Sequence, residues 1–196
     1  HLAASKALDA IVGAVKLTPT AEKIRRLMHY GQILQSHAVH FFHLCSPDLL
    51  FGFDSDAARR NIVAVAQAHT ETARQGVLLR KFGQEVIRVT AGKRVHGTGS
   101  VPGGVNKTVT PEERDALLAE VYQMIAWSRG AVGLIKDLHA LNPALYNSFG
   151  VFRSNLMSLV GIEGALDFYH GRLRARSENG DVLFDGVDYR GYADLI

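Results

Sequence analysis

The chain has 196 residues, 47% of them hydrophobic, and its 22 basic and 19 acidic side chains give a net charge of +3. This composition excludes a disordered chain, and the length is enough to bury the core of one domain or of a tight pair. Polar residues break every apolar run before the roughly 18–20 residues that a membrane span needs, so a soluble chain without a transmembrane helix is predicted. Only the pI near 9.1 points to nucleic acid, and the basic pairs are too scattered to form a binding face.

Cys45 is the single cysteine of the chain. A disulfide framework is therefore excluded, and a reducing compartment is indicated. The residue lies in the apolar run HFFHLCSPDLLFGF, where a small buried side chain is the simplest interpretation.

Apolar periodicity predicts two helices at the start of the chain. The first covers residues 2–15, with Asp9 away from its apolar side. Thr18-Pro19 supplies an N-cap hydroxyl and a proline at the first helical position, which predicts a second helix that ends at about Cys45, before Ser46-Pro47. The apolar side of the first helix consists of Leu2, Leu8, Ile11, Val12 and Val15.

Further helices are predicted at about Ser55–His69 and Glu71–Thr90. Thr110-Pro111-Glu112-Glu113 is a capping box with proline at its first helical position, which predicts a helix to about His139. Asn142-Pro143 marks another helix boundary. The helical core is thus expected to cover about residues 2–165.

The pattern changes to alternation after Gly171. The turn signal Glu178-Asn179-Gly180-Asp181 predicts a β-hairpin over about residues 171–187. The expected fold class is mainly α with small antiparallel β additions. The three alternating arginines of the first strand share one face, which is either solvated or turned to an anionic partner; they are Arg172, Arg174 and Arg176.

The least ordinary stretch is GKRVHGTGSVPGG, residues 92–104, with five glycines in thirteen residues. Glycine at this density indicates positive φ or close backbone approach. The stretch lacks the Gly-Lys-Ser/Thr ending of a Walker A loop and the strand-to-helix context of a dinucleotide fingerprint. His96 within it is either a functional imidazole or a locally satisfied loop residue.

Four histidines of the second predicted helix fall on one face. Imidazoles three or four residues apart can converge on zinc, although no carboxylate or cysteine supports such a site. The other interpretation is buried histidines paired with the backbone or neighbouring side chains. These histidines are His29, His37, His40 and His43.

Three runs, together with the closing hairpin, resemble the large subunit of nickel-iron hydrogenases over essentially the whole chain: LAASKALDAIVG, QSHAVHFFHLCSPDLLFGF and RQGVLLRKFGQEVIRVTAGKRVHGTGSVPGGV. The loop HGTGSVPGGVN is most similar to the bidirectional, NAD-reducing group. The resemblance implies reversible oxidation of H2 at a Ni-Fe(CN)2(CO) centre in the intact subunit. It also implies a small subunit, diaphorase subunits carrying iron-sulfur clusters, FMN and NAD, and a cytoplasmic location.

In the family, four cysteines hold the nickel-iron centre, in an Arg-x-Cys-Gly-x-Cys motif and an Asp-Pro-Cys-x-x-Cys motif, and neither motif is present in this sequence. Soft metals need thiolates, so the chain is expected to hold no metal by itself. The resemblance places Ser36 where many uptake members have an aspartate over the metals, with His37 beside it. It places His96 near the small subunit and its proximal iron-sulfur cluster.

The leading hypothesis is that residues 1–196 are an internal fragment of a hydrogenase large subunit, inactive alone, that supplies scaffold and surroundings to the metal site. The alternative is a non-catalytic relative, like the quinone-site subunit of respiratory NADH dehydrogenase. A nucleic-acid-binding helical domain is a third hypothesis, and it depends on the pI alone.

Overall fold

The computed structural model describes residues 1–14 and 16–195. The chain forms two compact units, His1–Leu141 and the part that begins at Asn142. The predicted class, mainly α with small antiparallel β additions, is confirmed. No helix in the described part of the chain is both long and apolar enough to cross a bilayer.

The first unit is helical apart from one short ribbon. Its elements are α1 (Leu2–Ile11), α2 (Pro19–Val39), a π-helical segment (His40–Cys45), α3 (Ser46–Phe51), α4 (Ile62–Ala68), α5 (Thr70–Ala91), β1 (Ser100–Val101), β2 (Gly104–Val105) and α6 (Pro111–Leu141).

The helical run that α2 begins does not end at Ser46-Pro47, as the sequence predicts. The Thr18 side chain accepts a hydrogen bond from the Ala21 N–H, so the predicted N-cap of α2 is confirmed. The π-helical segment then leads directly into α3, where Pro47 lies in the first turn and the Ser46 hydroxyl donates to the Phe42 carbonyl at 2.7 Å. The run ends at Gly52, whose φ of +84° is easily reached by glycine.

Helix α1 buries Leu2 and Asp9, whereas Leu8, Ile11 and Val12 are exposed. The prediction that Asp9 lies away from the buried side is therefore wrong. The physical reason is a charged partner from α2, which compensates the burial of the carboxylate. The prediction for Val15 lies outside the described residues.

Helix α4 begins at Ile62, later than the predicted Ser55, because Asn61 caps it by accepting from two backbone N–H groups. Helix α5 follows the predicted span closely. The capping box of α6 is confirmed: Thr110 Oγ1 accepts from the Glu113 N–H, and Glu113 Oε2 accepts from the Thr110 N–H.

The core of the first unit lies between α2 and α5, which approach through glycines. A Cβ placed at Gly83 would lie 2.7 Å from the Gln35 backbone nitrogen and 2.8 Å from the Gly31 oxygen. Only glycine therefore permits this crossing. The main buried cluster consists of Ala38, Phe42, Leu79, Phe82, Val86 and Met124.

The second unit contains α7 (Pro143–Ser148), an antiparallel sheet of β3 (Leu156–Val160), β4 (Arg172–Arg176) and β5 (Val182–Val187), and a 3-10 helix (Tyr189–Asp194). The predicted hairpin is confirmed as β4 and β5. The expected helical core to residue 165 is wrong beyond Ser148. The run LMSLV lacks strict alternation, and it is a strand because β4 pairs with it.

The arginines of β4 do share one face, alternating with buried Leu173 and Ala175. Arg174 pairs with Asp185 at 2.6 Å, and Arg172 donates to the Gly186 carbonyl at 3.2 Å. Arg172 and Arg174 thus bind groups of the chain itself.

Candidate functional site

The glycine-rich stretch joins α5 to α6 as an ordered loop. Gly92, with φ of +76°, ends α5. The ribbon pairs Ser100 with Val105, and Gly103 takes φ of +81° in the turn between β1 and β2. Asn106 closes the open end of this ribbon, because its backbone N–H donates to the Gly99 carbonyl at 2.9 Å.

Two of the glycines allow the loop to lie directly on α5. A Cβ at Gly97 would approach the Ala91 Cβ to 2.6 Å, and one at Gly99 would approach the Thr90 carbonyl oxygen to 2.5 Å. The glycine content predicted a close backbone approach. Part of this approach is the contact between the loop and α5 of the same chain.

A buried ion pair holds the turn of the loop. Arg25 is 0% exposed and Asp9 is 7% exposed. The guanidinium donates to Asp9 at 2.5 Å and 3.1 Å, to the Val101 carbonyl at 2.7 Å and to the Gly104 carbonyl at 3.0 Å. Asp9 Oδ1 accepts from the Gly103 N–H at 2.8 Å. The hydrogen bond from Arg25 holds the pKa of Asp9 below its ordinary value, although burial alone would raise it.

This pair was not predicted from the sequence. Asp9 and Arg25 each lie on an amphipathic helix at a spacing that carries no recognised motif. The loop supplies main-chain atoms, which leave no trace in residue types. An acidic side chain inside the run LAASKALDAIVG was the one available signal.

Both ends of the loop are held by a second set of charges. Arg94 lies 3.4 Å from Glu85, and Lys107 lies 2.8 Å from Glu113. Arg88 joins the two carboxylates, at 2.5 Å from Glu85 and 3.9 Å from Glu113. Hydrogen bonding lowers the pKa of Glu113, with Lys107 as the main cause, and lowers the pKa of Glu85, with Arg88 as the main cause. The loop is thus attached to α5 and α6 where it begins and where it ends.

His96 lies at the outer side of this loop. It is exposed and takes φ of +51°, a left-handed conformation that non-glycine residues rarely adopt. Its ring centroid lies 5.9 Å from that of His1 in an edge-on arrangement. The imidazole is therefore presented at the surface.

Ser36 and His37 line an apolar groove of about 670 Å³ between the α2 region and α6. His37 Nδ1 lies 2.9 Å from the Ile33 carbonyl. A carbonyl only accepts, so His37 Nδ1 is the donor in this contact. Most of the wall is apolar, including Leu34, Phe41 and Val132.

The four histidines of the predicted face are not brought to one point. His37 and His40 line the large groove, whereas His29 lines a separate cavity of about 280 Å³. Burial lowers the pKa of His29. The Nδ1 atom of His43 is buried without a hydrogen-bond partner in the part of the chain that the structure describes.

The residues of this chain do not fit a centre held by four thiolates. Cys45 is partly exposed, contrary to the predicted burial, and its Sγ lies 3.4 Å from His40 Nδ1. Desolvation, with a smaller contribution from Asp48, raises the pKa of the thiol. Across residues 1–14 and 16–195, no group of three or more His, Cys, Asp or Glu side chains is placed to hold a metal ion.

Comparison with models of protein families gives no match. The chain is 40% identical to the β subunit of the NAD-reducing hydrogenase HoxS of Cupriavidus necator, over 99% of this chain and 42% of that protein. It is also 40% identical to a vhu subunit of the F420-non-reducing hydrogenase of Methanocaldococcus jannaschii, over 98% of this chain and 46% of that protein. The chain thus spans less than half the length of these curated relatives.

Solved structures of hydrogenases also match this chain. An NAD+-reducing [NiFe]-hydrogenase in the H2-reduced state matches with 51% identity and a TM-score of 0.95, over 100% of this chain and 43% of that one. The [NiFeSe]-hydrogenase of Desulfomicrobium baculatum shares the fold, with 20% identity and a TM-score of 0.65 over 87% of this chain and 39% of that one. The chain is therefore related to the large subunits of nickel-iron hydrogenases.

Proposed function

We propose that this chain is part of the large, catalytic subunit of a nickel-iron hydrogenase that reversibly oxidises H2 and passes electrons through iron-sulfur clusters of partner subunits to NAD. The observation that supports this proposal most is the loop HGTGSVPGGVN, which hydrogen bonds from other parts of the chain hold in place. The 51% identity of the whole chain to an NAD+-reducing hydrogenase supports the NAD-linked group. A cytoplasmic enzyme with a small subunit and FMN-containing diaphorase subunits follows from this proposal.

Within that enzyme, the chain supplies scaffold and surroundings, and the metal ligands come from sequence outside it. Cys45 cannot provide four thiolates, and burial disfavours its thiolate form. No step of H2 chemistry is assigned to a residue of this chain.

His96 is proposed to face the small subunit beside its proximal iron-sulfur cluster. An exposed imidazole in a loop that the chain itself holds in place can donate a hydrogen bond to a partner group. Such a bond would tune the potential of the cluster.

Ser36 and His37 are proposed to lie in the surroundings of the metal centre. They are polar groups on a largely apolar groove, and the Nδ1 atom of His37 donates to the Ile33 carbonyl. They would order water or a nearby polar side chain rather than bind metal. A serine cannot supply the charge of the aspartate that many uptake members have at this place.

The flanking gene sequence tests the proposal most directly. Arg-x-Cys-Gly-x-Cys is expected before His1, and Asp-Pro-Cys-x-x-Cys after residue 196. Flanks that lack both cysteine pairs would contradict it and would favour the non-catalytic relative.

Metal analysis gives a second test. The isolated chain should bind no stoichiometric nickel and show no H2 uptake, whereas the intact complex should reduce NAD with H2. One tightly bound nickel per isolated chain would contradict the assignment of the ligands to the flanks.

A further inference from the structure

The turn of the glycine loop is held from two helices that lie far from it in sequence. We propose that Asp9 and Arg25 are positioning residues: they fix the β1–β2 turn and thereby set where His96 meets the partner subunit. This inference rests on the proposed function for the partner, but its structural part concerns the chain alone.

The geometry of the pair matches this role. Arg25 donates to both oxygens of Asp9 and to two carbonyls, one on each strand of the ribbon. Asp9 in turn accepts from the Gly103 N–H. The pair therefore forms hydrogen bonds with both strands of the ribbon and with the turn between them.

A buried ion pair of this kind is seldom the most stable choice for a core. Desolvation of the two charges offsets much of their attraction, so apolar replacements of similar size are often as stable. What apolar side chains cannot do is bind the carbonyls and the N–H of the turn. Arginine is specific here, since its planar fork reaches several acceptors at once and the ammonium of lysine does not.

A continuous set of contacts leads from the held turn to His96. Asn106, next to β2, donates from its side chain to the Thr98 carbonyl at 3.1 Å and from its backbone to Gly99. Gly97 and Gly99 then lie against α5 without space for a side chain. Displacement of the turn would reach residues 98 and 99, and through them the nearby His96, by way of the Asn106 hydrogen bonds.

The first test uses the complete hydrogenase complex that carries this segment, with Arg25→Gln compared with Arg26→Gln. Arg26 is the neighbouring residue on α2 and makes a partly exposed pair with Glu22 at 3.6 Å. Hydrogen exchange of the large subunit should become about tenfold faster over residues 97–106 in Arg25→Gln, with little change in α5. Association with the small subunit should weaken by about tenfold, and Arg26→Gln should resemble the wild type.

A second variant covers the case in which Arg25→Gln fails to fold. The double change Asp9→Leu with Arg25→Met removes both charges and keeps an apolar core, so the melting temperature should stay near that of the wild type while the loop still exchanges faster. Wild-type protection of the loop in this variant would overturn the proposal. Equal loosening of all helices would also overturn it, since that result marks a general structural role.

His96→Ala separates this inference from the proposed function. Unchanged association in His96→Ala would contradict the placement of His96 at the small subunit. A different result separates the two ideas. If His96→Ala weakens association with the small subunit, but the Asp9 and Arg25 variants loosen the loop and leave association unchanged, the positioning role is wrong and the proposed function stands.

Discussion

Asp9 and Arg25 show how a residue's role can be set by main-chain partners that the sequence does not display. The periodicity of α1 favours burial of Leu8, Ile11 and Val12, yet all three are exposed and Asp9 is buried. The position of α1 is therefore governed by a charged contact with α2 and the loop. Periodicity reports which side chains are apolar, and it does not report which backbone groups need a partner.

The charge of Asp9 should make stability depend on acidity. Its folded pKa is lowered, so the pair stabilises the protein above the ordinary carboxyl pKa of about 3.9, and this contribution is lost as pH falls through the folded pKa. Asp9→Asn should therefore cost about 3–5 kcal/mol near pH 7, because it leaves Arg25 buried without a counter-charge. The difference from the wild type should shrink below about pH 4.

Urea unfolding of the large subunit at several pH values measures this difference. Asp115→Asn is the control, since Asp115 also pairs with an arginine but is 62% exposed. Its effect on stability should be far smaller. If Asp9→Asn lowers the free energy of unfolding by the same amount at pH 3 and pH 7, the effect does not come from the carboxylate charge.

Helices α2 and α5 form the frame on which the groove and the glycine loop depend. Gly31 and Gly83 face each other where the helices cross, and a Cβ on either would enter the space of the partner helix. Gly83→Ala should destabilise the protein by about 1–3 kcal/mol, because the contact is with backbone atoms that cannot rotate away.

Gly130→Ala is the matched control for Gly83→Ala. Gly130 also lies within a helix, α6, but apart from its own helix backbone no atom of the described residues lies within 4 Å of an added Cβ. It should stabilise the protein by up to about 1 kcal/mol through helix propensity. Thermal or urea unfolding compares the two variants, and equal effects would show that the close crossing is not what requires glycine.

Local signals in the sequence predicted the starts of the long helices and of the hairpin, and they predicted little of the tertiary packing. Thr18 and Thr110 were identified as helix caps because a hydroxyl before a helix acts on atoms three residues away. The hairpin turn at Glu178–Asp181 is local in the same sense. Strand β3 and the ribbon of Ser100 and Val105 were missed, since pairing with another segment decides them.

At the scale of the whole molecule, the site was predicted only in part. The glycine content of residues 92–104 correctly indicated close approach, and α5 accounts for part of it. Ser36 and His37 were singled out through a family resemblance, and the structure adds that α6 forms the facing wall of their groove. That wall could not be predicted, because it depends on how two helices far apart in sequence pack.

Helix α6 exposes several large apolar side chains in the part of the chain that the structure describes. Met124 is buried, whereas Leu118 is 54%, Tyr122 is 81% and Val132 is 55% exposed. Exposed apolar surface of this extent promotes association. The isolated chain should therefore form oligomers and bind a hydrophobic dye at micromolar concentration, as light scattering after gel filtration and dye fluorescence would show. The double variant Leu118→Lys with Tyr122→Lys should form fewer oligomers and bind less dye. A monomeric wild-type chain without dye binding would contradict the prediction.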